Sequence, residues 1–215
     1  RMMGYVDAKT MPTVHRYEAL LAVTEAGVAD VRDTGQPYPF FLAHQLDTPL
    51  EGLDARLGPV GDWQVAWKYD GIRGQVVKRA GQVWIWSRGE ELVTERFPEI
   101  VSLAQFLPDG TVLDGEIMVW ASGAEENGIS AGRPASFALL QQRIGRKTLG
   151  KKILADAPVT FMAYDLLELM HEDIRSQPQS ERRQKLERLL AGTTLKISPV
   201  EKLPSWTAFK VLRAE

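Results

Sequence analysis

The sequence predicts an α+β fold whose sheets are mainly antiparallel and flanked by helices. Three observations carry this prediction. Apolar and polar residues alternate with period two in several short segments, which is typical of half-buried strands. Tight turns at Asp70-Gly71 and at residues 80–82 connect neighbouring strands directly. Helical segments are interspersed without a regular βαβ alternation, which disfavours a parallel doubly wound sheet.

The first 36 residues are predicted to be a lead-in to the main domain. Thr13 is a suitable N-cap for a helix over residues 14–25, and Gly27 is a suitable end for it. Residues 33–37 are rich in turn-forming side chains, so we expect a linker and a domain boundary there.

From residue 38 onward the pattern changes to strands. A strand is predicted over residues 63–70, followed by a bend and a second strand over 72–78. A turn at 80–82 leads into a third strand over 83–86. The apolar side of the first strand, which we expect in the core, consists of Trp63, Val65, Trp67 and Tyr69.

The remaining elements follow from the same rules. Strong strands are predicted at residues 111–120 and 159–167, separated by a loop at 121–133 that is rich in Gly, Ser, Glu and Asn. Helices are predicted at residues 95–106 (with Pro98 in the first turn), 134–144, 179–191 and 205–212.

Composition excludes several classes of protein. The absence of cysteine excludes disulfides and a thiolate zinc site, and it fits a reducing cytoplasm. The net charge of -2 means that any nucleic-acid binding must come from local patches. The three histidines share no ligand spacing, and no Walker A, G-x-G-x-x-G or G-x-S-x-G motif is present.

The segment over residues 68–73 concentrates reactive side chains. Strand alternation would place Lys68 and Asp70 on one face, and Arg73 follows just past the bend. A neutral lysine amine is a nucleophile, and an arginine beside it would suit a phosphate-bearing substrate. A solvated ion-pair cluster on a surface hairpin explains the same residues, and spacing alone favours that explanation because charged hairpins are common.

Four motifs in order resemble those of the covalent nucleotidyltransferases. Residues 68–73 match the K-x-D-G-x-R signature, residues 87–89 resemble the second motif, 113–116 resemble the D-G-E motif, and 161–167 resemble the segment that places an aromatic ring over the base. The surrounding sequence is similar to bacterial ATP-dependent DNA ligases in particular. The resemblance implies the nucleotidyltransferase fold of DNA ligases and mRNA capping enzymes, which is ATP-grasp-like.

The resemblance also implies a reaction and a set of site residues. Lys68 would attack the α-phosphate of ATP to form lysyl-AMP, from which AMP passes to the 5′-phosphate of nicked double-stranded DNA before the 3′-hydroxyl seals the nick. The enzyme would act as a monomer, with Mg²⁺ as its metal. The residues implied to bind the nucleotide are Asp70, Arg73, Arg88, Glu116 and Tyr164, with Glu116 also on the metal.

The most basic stretch of the chain is a candidate for contact with the DNA backbone. It contains Arg143, Arg146, Lys147, Lys151 and Lys152. A phosphate-binding patch and a solvated helix end are equally consistent with these residues.

Two departures from the family pattern are informative. Ala66 stands two positions before the lysine, where the family usually carries an acidic residue that recognises adenine, so the preference for ATP over GTP is open. Residues 37–215 resemble an adenylation domain without its C-terminal motifs or the following OB-fold domain. Residues 1–36 resemble the tail of an N-terminal helical DNA-binding domain, so we expect a fragment of a longer enzyme.

Two other functions remain open at this point. An RNA ligase or a capping-type guanylyltransferase would use the same chemistry, and base preference would distinguish them. A non-catalytic nucleic-acid-binding module of the same fold is the alternative from a different class.

Overall fold

The computed structural model describes residues 34–120, 133–146 and 148–214. The described residues divide into two compact units: the first contains those within 34–38 and 70–197, and the second contains those within 39–69 and 198–214. The sequence did not predict this division. The helix predicted at residues 14–25 lies outside the described residues, as does almost all of the loop predicted at 121–133.

The helices and strands of the described residues are numbered here in chain order. They are α1 (Leu53–Leu57), β1 (Val65–Ala66), β2 (Ile72–Arg79), β3 (Gln82–Ser87), α2 (Pro98–Ala104), β4 (Thr111–Val119), α3 (Phe137–Ile144), α4 (Lys151–Asp156), β5 (Val159–Leu169), β6 (Glu172–Asp173), α5 (Gln179–Leu190), β7 (Lys196–Ile197), β8 (Val200–Glu201) and α6 (Trp206–Ala214).

The first unit is built on an antiparallel sheet with strand order β3-β2-β4-β5-β6, to which β7 adds in parallel beside β5. This sheet confirms the predicted α+β class. β2 and β3 form the predicted hairpin. Its turn residues Ala80 and Gly81 have φ angles of 46° and 72°, the left-handed geometry that a two-residue hairpin turn requires.

The two faces of this sheet differ in character, since alternate residues of a strand point to opposite sides. One face forms the main core, in which Leu113, Ile117 and Phe161 are fully buried beneath helices α2, α3 and α5. Each such side chain contributes about 1.5–3 kcal/mol. The other face carries a smaller apolar cluster around Val77 and Val112. Because β4 is buried along its whole length, polar residues on that second face lie within the protein rather than on an open surface.

The strand predicted over residues 63–70 is much shorter in the structure. Only Val65 and Ala66 are extended and paired, because their partner β8 is itself two residues long. Trp63 and Trp67 are 48% and 42% exposed, so they do not belong to the core. Their indole N–H groups donate instead to the carbonyl of Leu57 and to a carboxylate oxygen of Glu201.

The four helices predicted within the described residues exist, with shifted bounds. α5 and α6 lie within one or two residues of their predictions. α2 is shorter than predicted, because Phe97 has φ of -133° and separates it from a 3₁₀ turn over Thr94–Arg96. The short helices α1 and α4 were missed, since five or six residues are too few for a helical period to be recognised. No helix in the described ranges is long and apolar enough to cross a bilayer.

The second unit is small and has its own buried residues. Leu53 and Trp206 are 3% and 5% exposed, and the Trp206 indole N–H donates to the carbonyl of Gly58 at 2.8 Å. Trp206 and Phe209 pack edge to face with ring centroids 5.8 Å apart. These contacts join the start of the unit to α6.

Candidate functional site

Three of the predicted site residues meet on the second face of the sheet in the first unit. Arg73 on β2 is the cross-strand partner of Glu116 on β4. The guanidinium of Arg73 lies 4.8 Å from the ring centroid of Tyr164 on β5, and the Tyr164 hydroxyl donates to Glu116 Oε2 at 3.4 Å. The sheet therefore brings together side chains that three separate motifs contribute.

Arg73 also forms an ion pair that the sequence did not predict. Its Nε and a terminal nitrogen donate to the two carboxylate oxygens of Asp114 at 2.7 and 3.0 Å. Asp114 is 4% exposed, and such a bidentate pair holds both planar groups in one geometry. Burial by itself lowers the pKa of Arg73, but Asp114, together with Glu116 and Tyr164, more than offsets this, so the pKa of Arg73 is raised. Arg73 is thus a fixed cation.

Tyr164 occupies a special backbone position. Gly115 and Asp114 pair with Ala163 and Asp165, so Tyr164 is the extra residue of a β-bulge in β5. Bulges often lie beside functional sites because they redirect a side chain. Here the neighbouring Ala163 faces the main core, while Tyr164 lies against Arg73 on the opposite face.

Arg88 lies in the turn that follows β3 and its side chain is exposed. Its backbone N–H donates to the carbonyl oxygen of Arg73 at 2.9 Å. The turn is therefore attached to the strand that carries Arg73. The guanidinium remains accessible to a phosphate from solution.

Lys68 and Asp70 are placed differently from the sequence-based expectation. Residues 67–70 form no regular element, so the strand alternation that would put both side chains on one face does not apply to them. Both side chains are exposed. Lys68 belongs to the second unit and Asp70 to the first. Ala66 is exposed and pairs with Val200.

Gly71 is required for space. A Cβ atom at this position would lie 2.4 Å from the carbonyl oxygen of Ile117 and 2.9 Å from Cγ of Glu116. Both distances are far below van der Waals contact, and the first involves backbone that cannot rotate away. Any other residue where β2 begins beside Glu116 therefore forces the neighbouring backbone to shift.

We expect Gly71→Ala to lower the free energy of unfolding by about 1–3 kcal/mol, the usual cost of overpacking. Urea unfolding measures this change. Gly61→Ala is the matched control, because apart from Gly61 and its two chain neighbours no described atom lies within 4 Å of the position that the added methyl group would take, and its effect should be small. Equal stabilities of the two variants would show that β2 can shift without cost.

The basic stretch over residues 143–152 contains both buried and exposed cations. Arg143 is fully buried and pairs with Glu99 at 2.6 Å, which contradicts its assignment to a surface that binds DNA. Arg146 is exposed, as are Lys151 and Lys152 on α4, and Lys147 lies outside the described residues. The exposed patch therefore lacks Arg143.

The arrangement of acids limits how a metal could be held. No group of three or more His, Cys, Asp or Glu side chains converges among the described residues. Both oxygens of Asp114 accept hydrogen bonds from Arg73, and Oε2 of Glu116 accepts one from Tyr164 on the same face. One protein carboxylate is enough for Mg²⁺ when phosphate oxygens and water complete its shell.

Comparison with known proteins gives consistent results. The model of the ATP-dependent DNA ligase domain family matches residues 41–212. A probable DNA ligase of Opitutus terrae is 41% identical over 126 residues, which are 58% of this chain and 12% of the relative. A probable DNA ligase of Anaeromyxobacter sp. is 32% identical over 170 residues, which are 77% of this chain and 30% of the relative.

A solved structure supports the same relationship. A mycobacterial DNA ligase D complexed with ATP and MES superposes with a TM-score of 0.53 and is 30% identical, over 70% of this chain and 44% of that one. The match thus spans less than half the length of each of these three proteins.

Proposed function

The chain belongs to the family of ATP-dependent DNA ligase domains, and from this membership we propose that it is a ligase's catalytic core, which takes AMP from ATP onto Lys68. The observation that carries the proposal is the meeting of Arg73, Glu116 and Tyr164 on one sheet face. These residues come from three motifs. In the order named, they supply a cation for the phosphates, a carboxylate oxygen for the ribose or a metal, and an aromatic ring for the base.

The proposed reaction has three displacements at phosphorus. The neutral amine of Lys68 attacks the α-phosphorus of ATP, so that a P–N bond forms and the bond to pyrophosphate breaks. An oxygen of the DNA 5′-phosphate next displaces the lysine and takes the AMP. The 3′-hydroxyl then attacks that 5′-phosphate, releases AMP and closes the nick. Catalysis of this kind depends mostly on positioning and charge neutralisation.

Each remaining site residue has a role suited to its position. Arg88 is exposed and suited to phosphate contact. Arg73 is held by Asp114 and contributes its charge from a fixed place. The ring of Tyr164 offers a face for the base. Asp70 is proposed to bind the nucleotide beside the lysine segment.

We propose Mg²⁺ as the metal, with Glu116 as its protein ligand. Mg²⁺ prefers oxygen donors and supplies positive charge at the phosphates when bound. Glu116 is 8% exposed and also suited to accept a ribose hydroxyl. Because the proposed substrate is DNA, we propose that the protein acts in the bacterial cytoplasm. We expect it to act as a monomer.

The proposal is tested by the intact mass of the chain after incubation with ATP and Mg²⁺. We expect a gain of one AMP from ATP, and none from NAD or in the presence of EDTA. A gain from GTP alone would favour a capping-type enzyme. Ala66 is compatible with that outcome, because it stands where the family usually carries an acidic residue that recognises adenine. Absence of any gain while nucleotide still binds would favour a non-catalytic module.

The exposed part of the basic stretch is proposed to contact the DNA backbone. It comprises Arg146, Lys151 and Lys152. Lys147, which lies outside the described residues, is proposed to act with them from its place in the sequence. We expect the double variant Lys151→Ala/Lys152→Ala to bind nicked DNA more weakly, because two phosphate contacts are lost. The slope of log affinity against log salt should fall by about 2, at roughly 0.9 per phosphate.

Nicked DNA binding at several salt concentrations measures this slope. Lysyl-AMP formation should be unchanged in the same variant. The control is Arg188→Ala/Lys202→Ala, which removes two exposed cations elsewhere. If this control lowers the slope as much as the α4 variant does, the patch has no special role. A nicked RNA duplex in parallel tests the RNA-ligase alternative.

A further inference from the structure

The bulge that presents Tyr164 is held by a side chain from its own strand. A bulge leaves backbone groups without their regular ladder partners. Directly after Tyr164, the carboxylate Oδ1 of Asp165 accepts the backbone N–H of Leu166 at 2.8 Å. This bond closes a tight local loop. It thereby fixes the backbone at the residue next to Tyr164.

Asp165 is held in turn from helix α5. Arg182 donates from Nε to Oδ1 of Asp165 at 2.9 Å and from a terminal nitrogen to Oδ2 at 2.8 Å. The same guanidinium also donates to the carbonyl oxygens of Arg175 and Gln177, just before the helix. Arg182 therefore connects the bulge to the segment that leads into α5 through several directional bonds.

A second pair of the same kind lies next to the first. Asp165 is the cross-strand partner of Asp114, whose carboxylate is occupied by Arg73. Each of the two neighbouring acids thus has its own bidentate arginine, which offsets the repulsion between them. Arg73 also lies over the Tyr164 ring. The backbone and one face of Tyr164 are both set by this network.

We propose that Asp165 and Arg182 are positioning residues for nucleotide binding, because they hold the bulge that orients the Tyr164 ring toward a purine base. The inference rests on the proposed function, since it takes Tyr164 as the surface on which the base stacks. Neither residue touches the nucleotide in this account. Their effect is to fix the ring before the nucleotide arrives, so that binding does not have to order it.

The test compares Asp165→Asn with Glu99→Gln. Glu99 also forms a bidentate pair with a buried arginine, Arg143, in the same unit but away from Tyr164, so Glu99→Gln is a matched control for lost stability. We expect Asp165→Asn to raise the KM for ATP in lysyl-AMP formation, the concentration that gives half the maximal rate, on the order of tenfold. The maximal rate constant of that step should change by less than about twofold, as for a change in ground-state binding. Glu99→Gln should leave the KM unchanged.

Arg182 supplies the second comparison. Arg182→Gln should raise the KM as Asp165→Asn does, and Arg182→Lys should restore part of the loss because it keeps the charge. The double variant Asp165→Asn/Arg182→Gln should be no worse than either single one, since both changes break the same link.

Equilibrium binding of ATP in a Lys68→Ala background separates this inference from the proposed function. If the chain that retains Lys68 binds ATP without forming lysyl-AMP, the proposed reaction fails, while weaker binding by Lys68→Ala/Asp165→Asn than by Lys68→Ala still supports the positioning role. If Asp165→Asn is folded by circular dichroism and binds ATP as tightly as its parent, the positioning role is overturned. Absence of ATP binding by the parent chain would overturn both.

Discussion

Replacing Lys68 with alanine is expected to abolish the gain of AMP from ATP completely. The amine is the atom that forms the P–N bond, and an alanine has no group to take its place. Lys68→Arg should be equally inactive, because a guanidinium stays protonated and is not a nucleophile. Intact mass after incubation with ATP and Mg²⁺ measures both variants.

The control for this prediction is Lys202→Ala, which removes another exposed lysine of the second unit. It should gain AMP as the parent chain does. Circular dichroism should show all three variants folded, since Lys68 is exposed and makes no contribution to a core. Retention of covalent AMP in Lys68→Ala would assign the nucleophile to a different residue.

Arg143→Met is expected to lower the free energy of unfolding by about 1–3 kcal/mol, as is typical when buried acceptors lose their hydrogen-bond donor. The guanidinium is fully buried and donates to Glu99 and to the carbonyl oxygens of Arg96 and Ala157. Methionine fills a similar volume but satisfies none of these acceptors. Urea unfolding at constant m-value measures the loss.

Arg146→Met is the matched control, because Arg146 lies three residues further along and is exposed. Its stability should change by less than about 0.5 kcal/mol. A similar small loss in Arg143→Met would mean that the pair with Glu99 is not needed to hold α3. The comparison also distinguishes Arg143, which stabilises the fold, from Arg146, whose exposed side chain can contact DNA.

Local patterns were sufficient for most of the first unit. The β2–β3 hairpin follows from alternation on both sides of the turn at Ala80 and Gly81, where Gly81 favours the left-handed geometry. β4 and β5 follow from long runs of apolar and β-branched residues. These signals lie within a few neighbours along the chain, which is why single-sequence reasoning can find them.

Contacts between residues far apart along the chain could not be predicted from local sequence patterns. The partner of Arg73 is Asp114, and that depends on the register between β2 and β4, which no short segment encodes. The bulge at Tyr164 depends on the pairing of β5 with β4 in the same way. Asp114 could have been suspected as a partner because it shares the face of Glu116, but its arginine could not have been named.

Two wrong predictions have a common cause. Arg143 was assigned to a basic surface because its neighbours are basic, but Glu99, an acid 44 positions earlier, neutralises it in the interior. Trp67 was assigned to the core because it alternates with polar residues, yet its strand partner ends after two residues. In both cases a distant contact decided the outcome, and neighbouring residues along the chain carried no sign of it.

The most direct test of the central claim is peptide mapping of the chain after incubation with ATP. Trypsin should normally cut after Arg56, Lys68 and Arg73. AMP on Lys68 blocks the middle cut, so the account predicts a peptide over residues 57–73 that carries one AMP, provided digestion avoids acid, which hydrolyses the P–N bond. AMP on a peptide that lacks Lys68, with the cut after Lys68 intact, would contradict the account.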